Sequence, residues 1–166
     1  FTGIRIGISA VKGIAAPRQL PCHPVSTLRA IAENFRSFNG IVCAVMDARR
    51  DQVYNAMFRI RYGEVQRLCD DRAISLEDLC NEIKNLQENV FLVGDGSILC
   101  YNTFAGDVPG LVLPPEHRMH QRAAGVALAA LPQLAAGENC DGSTLQPNYL
   151  RLSQAERERM EREKQK

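Results

Sequence analysis

From Gly40 to Leu68 the chain reads GIVCAVMDARRDQVYNAMFRIRYGEVQRL, three strand-like runs parted by two polar turns. Ile41 to Met46 is continuously apolar, which predicts a strand covered on both faces. In the second run Tyr54, Ala56, Phe58, Ile60 and Tyr62 share one side, while Asn55, Arg59 and Arg61 fall on the other. That period of two predicts a half-buried strand, because successive side chains point to opposite faces. Glu64 to Leu68 follows the Tyr62-Gly63 break. Connections this short predict an antiparallel meander whose first turn is Asp47-Ala48-Arg49-Arg50-Asp51.

Before the meander, FTGIRIGISAVKGIAA supports two readings. Ile4, Ile6 and Ile8 alternate as in a strand, yet Ile4, Ile8, Val11 and Ala15 recur at helical spacing. Thr2 is a candidate cap, and Gly3, Gly7 and Gly13 would let another backbone come close. Each internal glycine weakens a helix by about 1 kcal/mol. Residues 17–24 form a proline-bearing connector. Ser26 then predicts a cap, with Leu28, Ile31, Ala32 and Phe35 as the apolar stripe of a helix ending near Phe38-Asn39-Gly40.

Beyond the meander, Ser75 predicts a second cap, with Asp78 in the first turn and Leu76, Leu79, Cys80, Ile83 and Leu86 along one side. Val90 to Val93 predicts a short buried strand running into Gly94-Asp95-Gly96, and SILCYNTF a short helix after it. Leu111 to Leu113 is another short run. Residues 117–136 predict one long helix packed closely on a sheet, which Pro132 should truncate or kink. Residues 145–152 predict an extended end, and 153–166 a charged tail. The order describes an α/β chain with a mixed sheet.

A chain of 166 residues suffices for one domain or two small lobes. Twenty Lys and Arg against nineteen Asp and Glu leave no strong field to recruit nucleic acid or a membrane. No apolar run reaches membrane-spanning length. Six scattered cysteines without a CxxC pair predict reduced thiols in a cytoplasmic protein. The chain opens at Phe1, inside sequence that already looks structured, so a fragment or processed product is expected.

The candidate chemistry is sparse. Gly94-Asp95-Gly96 at a strand end is placed to approach a phosphate, but it lacks both the Walker and the GxGxxG pattern and suffices as a tight turn. His117 and His120 have no partners spaced for a zinc set. Cys22-His23 shows no oriented base, and Asp47 and Asp51 flank arginines in a turn where aspartate commonly organises its own backbone. No catalytic residue, metal ligand or cofactor is assigned. An enzyme, a scaffold and a small-molecule binding module all stay open.

Five landmarks then fall in order from Phe1 to Arg151: FTGIRIGISAVKGIA, the connector with VSTLRAIA, VMDARRDQVYNAMF, FLVGDG and PNYLR. They resemble the bacterial TsaB (YeaZ) family, whose signature GSFTGLRIGLATAKGLA matches the opening. The first and DARR segments are the more specific.

The resemblance implies an actin/Hsp70-like (ASKHA) fold of two ribonuclease H-like lobes without a working ATP site. It further implies that residues 1–39 are helices of a first lobe lacking its N-terminal strands, 40–136 the second lobe, and 137–152 a return segment. Phe1 to Ala16 becomes a helix. Both first-lobe helices would then expose apolar stripes.

The implied function is a non-catalytic scaffold that partners TsaD, with TsaE joining them. That assembly makes N6-threonylcarbamoyladenosine at position 37 of tRNAs reading ANN codons. Homodimers, and only indirect contact with tRNA, are implied as well. Ile4, Ile8 and Val11 would pack the first helix into its lobe, leaving Arg5 and Lys12 as candidates for the partner or dimer surface. The alternative is a nucleotide-binding or hydrolysing ASKHA-like enzyme with Gly94, Asp95 and Gly96 near the ligand. A protease reading finds no nucleophile–base arrangement in the sequence.

Overall fold

The computed structural model describes residues 2–86 and 88–151. The charged tail expected at 153–166 lies outside them. The strands are β1 (Gly40–Asp47), β2 (Gln52–Arg61), β3 (Glu64–Arg67), β4 (Arg72–Ser75), β5 (Val90–Val93) and β6 (Leu111–Val112). The helices are α1 (Thr2–Ala15), α2 (Thr27–Ala32), α3 (Leu76–Lys84), α4 (Ser97–Phe104), α5 (Glu116–Met119) and α6 (Ala123–Ala135). All strands join one sheet in the order β3-β2-β1-β5-β6, with β4 also paired to β2. The meander β1-β2-β3 is antiparallel, and β1-β5-β6 is parallel. Among the described residues, no helix is long and apolar enough to cross a membrane.

Alternation along β1 sorts the core into two layers. Ile41, Cys43 and Val45 face the side covered by α3 and α4, with Leu79, Ile83, Cys100 and Phe104. Val42 and Ala44 face the opposite side, with Leu28, Ile31 and Phe35 from α2 and the 3-10 turn after it. This corrects the expectation that the stripe of the Ser26 helix lacks a sheet. Leu28, Ile31, Ala32 and Phe35 are at most 3% exposed because β1 and β2 supply that sheet. Ser26 does cap α2, its Oγ accepting from the Arg29 N–H at 3.2 Å. Within the same layer Glu33 is fully buried between Arg29, at 2.7 Å, and Arg36. Those two arginines also reach the carbonyls of Val65 and Gly63, fastening α2 to the β2–β3 hairpin.

β2 departs from the half-buried pattern. Ala56, Phe58 and Ile60 do share the α2 side, but Val53 and Met57 on the other side join the α3/α4 core. Asn55 between them is fully buried. Its Nδ2 donates to the Ala44 carbonyl at 3.2 Å, and its Oδ1 accepts from Arg72, which also pairs with Glu82. The polar residue in the alternation is thus a satisfied core group, since a buried amide must find its partners inside. Tyr62 leaves the strand at φ 51° and is 95% exposed.

One strand has no counterpart in the sequence reading, and one expected helix is divided. The strand β4 was not foreseen. It is four half-buried residues that pair with the first half of β2, while β3 pairs with the second half.

The single long helix over 117–136 is two, parted at His120–Arg122. Just before the break, the Met119 carbonyl accepts from the Gly94 N–H at 2.7 Å. The next carbonyl, of His120, accepts from Asn34 Nδ2 at 2.9 Å. With those acceptors committed to β5 and to the turn after α2, a continuous helical ladder cannot use them. α6 packs on α2 rather than on the sheet. It runs through Pro132 to Ala135 without truncation, on an exposed face where the carbonyl left unpaired by proline reaches water.

Candidate functional site

β5 ends in the Gly94-Asp95-Gly96 turn, where the sheet meets the α5–α6 break. Ile31, Gly94, Asp95, His120 and Gln121 line a depression of about 220 Å³ there, below the ~300–1,000 Å³ usual for a small-molecule pocket. The backbone around it is already committed. Gly94 donates to the Met119 carbonyl, and Gly96 to the Val45 carbonyl at 3.3 Å. Asp95 Oδ1 accepts from the Asp47 N–H at 3.2 Å.

Packing accounts for the glycines as well. Gly94 has φ +102°, and a Cβ there would lie 2.0 Å from the Val45 carbonyl oxygen. At Gly96 a Cβ would lie 3.1 Å from the Asp47 nitrogen. Both let the β5–α4 turn press against the end of β1, a use of glycine that needs no ligand. Behind the turn Cys100 is buried, which pushes its thiol up to about 12, the Asp47 carboxylate adding to the effect.

The Asp47–Asp51 turn adjoins this depression. Asp47 organises it by accepting from the Arg49 N–H at 2.7 Å and pairing with the Arg49 guanidinium at 3.2 Å. Arg49, Arg50 and Asp51 all hold positive φ, between 53° and 63°. Arg151, from the final landmark, donates to the Ala48 carbonyl at 2.5 Å. DARR, GDG and the YLR end therefore meet at one place.

The opposite end of that C-terminal segment lies along α1. Arg5 stacks over the Tyr149 ring at 5.6 Å and donates to its hydroxyl at 2.9 Å. Lys12 donates to the Ser143 carbonyl at 2.8 Å, and Gly142 packs against Ala15. Arg5 is exposed and Lys12 half-buried, and both engage residues 143–149 of their own chain.

The apolar positions of α1 behave differently from those of α2. Ala15 is the one buried residue of α1, while Ile4 and Val11 are 45% exposed, Ile6 65% and Ile14 67%. The expected packing of Ile4, Ile8 and Val11 into a lobe is therefore limited to half-burial of Ile8. Most of the apolar side chains of α1 are thus open to water.

Tyr149 and Arg151 were missed as residues because a weak terminal motif gives no hint of its partners. Their signal was the order of the landmarks. His117 and His120 bracket the end of α5, and among the described residues no group of three His, Cys, Asp or Glu side chains is placed to hold a metal ion.

Comparisons with known proteins extend this reading. The family model described as TsaD, tRNA N6-adenosine threonylcarbamoyltransferase, matches residues 1–159. The tRNA threonylcarbamoyladenosine biosynthesis protein TsaB of Bacillus subtilis is 30% identical over 166 residues, covering 99% of this chain and 70% of that protein. TsaB of Escherichia coli is 29% identical, covering 91% and 66%. TsaB of Haemophilus influenzae is 31% identical over 107 residues, covering 58% and 44%.

Two solved Pseudomonas aeruginosa structures share the fold. YeaZ matches with a TM-score of 0.65 at 25% identity, covering 90% of this chain and 69% of that one. A protein described as similar to the peptidase YEAZ matches with a TM-score of 0.67 at 24% identity, covering 91% and 68%. The mixed sheet with helices on both faces is accordingly of the actin/Hsp70-like type. With the family model and the Bacillus subtilis relative both matching nearly the whole chain, the chain belongs to the TsaB (YeaZ) family of TsaD-type proteins.

Proposed function

We propose that this chain serves the formation of threonylcarbamoyladenosine in tRNA as a non-catalytic scaffold for TsaD. The modified base is the N6-threonylcarbamoyladenosine at position 37 of tRNAs reading ANN codons. TsaD transfers the threonylcarbamoyl group, and this chain presents α1 as a docking face in the cytoplasm, for TsaD or for a second copy. TsaE joins through the complex, and tRNA contact is indirect. The observation that carries the reading is the apolar face of α1, whose Ile4, Val11 and Ile14 are each at least 45% exposed. Burying such a face removes apolar area at ~25 cal/mol per Å². Arg5 and Lys12 border it, and their bonds to Tyr149 and Ser143 hold the return segment beside it. α2, sealed onto β1 and β2, moves with the second lobe in this arrangement rather than with the first.

A nucleotide enzyme built on Gly94, Asp95 and Gly96 is the weaker reading. A phosphate needs free amides at the strand end. Here the Gly94 and Gly96 amides serve Met119 and Val45, and Asp95 serves the Asp47 amide. Ser97, beside the turn, is buried with its hydroxyl toward Met119 Sδ, which does not favour peptidase chemistry either.

Size-exclusion chromatography of the purified chain with TsaD at micromolar concentration tests the scaffold role, and co-elution is expected. Separate elution under those conditions counts against it. Arg5→Glu should weaken the complex, and unchanged affinity would remove Arg5 from the interface. Saturable tight binding of magnesium–ATP by the chain alone would favour the enzyme.

A further inference from the structure

Outside the sites above, Cys22 and Cys140 face each other across an isolated antiparallel bridge. The Cys22 N–H donates to the Cys140 carbonyl at 2.9 Å, and the Cys140 N–H to the Cys22 carbonyl at 2.7 Å. Residues exchanging both bonds have Cα atoms about 5.5 Å apart, inside the ~4.4–6.8 Å that a disulfide spans. Directly opposed residues also project to the same side of the ladder. Cys22 Sγ lies 3.6 Å from where a Cβ of Gly142 would be, two residues past Cys140, and its thiol donates to the Leu20 carbonyl at 3.8 Å. Both cysteines are free thiols, Cys22 buried and Cys140 half-buried. The other thiols are differently placed. Cys43 and Cys100 are fully buried in the sheet core, where burial holds them protonated, and Cys69 Sγ accepts from the Met57 amide.

We propose that Cys22 and Cys140 are a redox-sensitive pair that closes to a disulfide on exposure to a small-molecule disulfide. The half-buried Cys140 is the entry point. Its thiolate attacks the small disulfide, forming a mixed disulfide and expelling one thiolate. Cys22 thiolate then attacks the Cys140 sulfur, forming the intramolecular S–S bond and expelling the second thiolate. The two cysteine protons go to the two released thiols, so the chain is oxidised by two electrons and the reagent reduced by two.

A hydrogen-bonded pair sets Cβ atoms wider than a relaxed disulfide prefers, which makes the bond readily reducible and the step reversible. The bond would staple the connector after α1 to the segment that Lys12 and Arg5 hold against α1. Oxidation would thereby lock the return segment beside the exposed face of α1.

The test incubates the reduced chain with glutathione disulfide and maps its peptides without reductant. The expected result is the loss of two hydrogen masses, one linked peptide joining Cys22 to Cys140, and a raised thermal midpoint, all reversed by dithiothreitol. Cys140→Ser should abolish the linkage and the midpoint shift while keeping the circular dichroism of the parent. If that variant does not fold, the peptide map of the parent decides. Folded parent chain in which Cys22 and Cys140 stay as thiols, carry glutathione separately, or link to other cysteines would overturn the proposal.

Discussion

Gly94 shows how much a single position can explain. The space a Cβ would need is taken by the Val45 carbonyl oxygen, 2.0 Å away, and φ is +102°. Gly94→Ala must therefore separate β5 from β1 and adopt a left-handed backbone, at about 3 kcal/mol or more. Chemical denaturation of the variant checks this. If the change proved neutral, the close approach of the turn to β1 would be wrong.

The buried thiols give a second expectation at the same scale. Burial first, then neighbouring groups, raises Cys43 and Cys100 above the ordinary 9.0, Cys100 to about 12. Both titrate higher in the folded chain than in the unfolded one. Their contribution to stability is intact below about pH 9 and is lost as pH rises toward the folded values, by ~1.4 kcal/mol per unit for each fully affected thiol. Urea midpoints measured from about pH 8 to about pH 10 should fall, and Cys100→Ala should flatten that fall. An equally steep fall in the variant would clear Cys100 of any part in it. The alternation around Asn55 was legible in the sequence, but its burial was not. Nothing along the chain announces that Arg72 will arrive to accept the role of its partner.

Among the elements, α2 and α6 meet through glycine, whereas the glycines of α1 meet nothing. A Cβ on Gly125 would fall 2.2 Å from the Ala30 carbonyl oxygen, while at Gly3, Gly7 and Gly13 no atom lies within 4 Å. Gly125→Ala should accordingly cost about 2 kcal/mol by forcing the two helices apart. Gly7→Ala should stabilise the isolated chain by up to about 1 kcal/mol through helix propensity. If a partner backbone docks on α1, the same Gly7 change should weaken the complex while strengthening the chain. Thermal melts together with a binding titration separate the two effects, and a Gly7 variant that lost stability alone would contradict the open face.

The caps at Ser26 and Ser75, the meander and the β5–α4 turn were readable because their signals are local. The break at His120–Arg122 and the strand β4 were not. Each is set by donors or edges that distant segments supply, Asn34 and Gly94 in one case and β2 in the other.

At the scale of the molecule, the sheet with α2 on one face and α3 and α4 on the other is a closed unit. α1 stands apart from it, joined mainly by the segment from Cys140 to Tyr149. The two helices thus differ in burial, α2 sealed onto the sheet and α1 largely open to water. The sequence alone could not distinguish them, because amphipathic spacing states that a face wants covering and not what covers it.

The scaffold role meets its most direct test in reconstituted modification of an ANN-decoding tRNA by TsaD supplied with threonylcarbamoyl-adenylate, with and without this chain. The account predicts that the chain alone modifies nothing and that adding it to TsaD and its other partners raises threonylcarbamoyladenosine formation well above that of TsaD without it. Modified tRNA produced by the chain on its own, or a TsaD rate indifferent to its presence, would contradict the account.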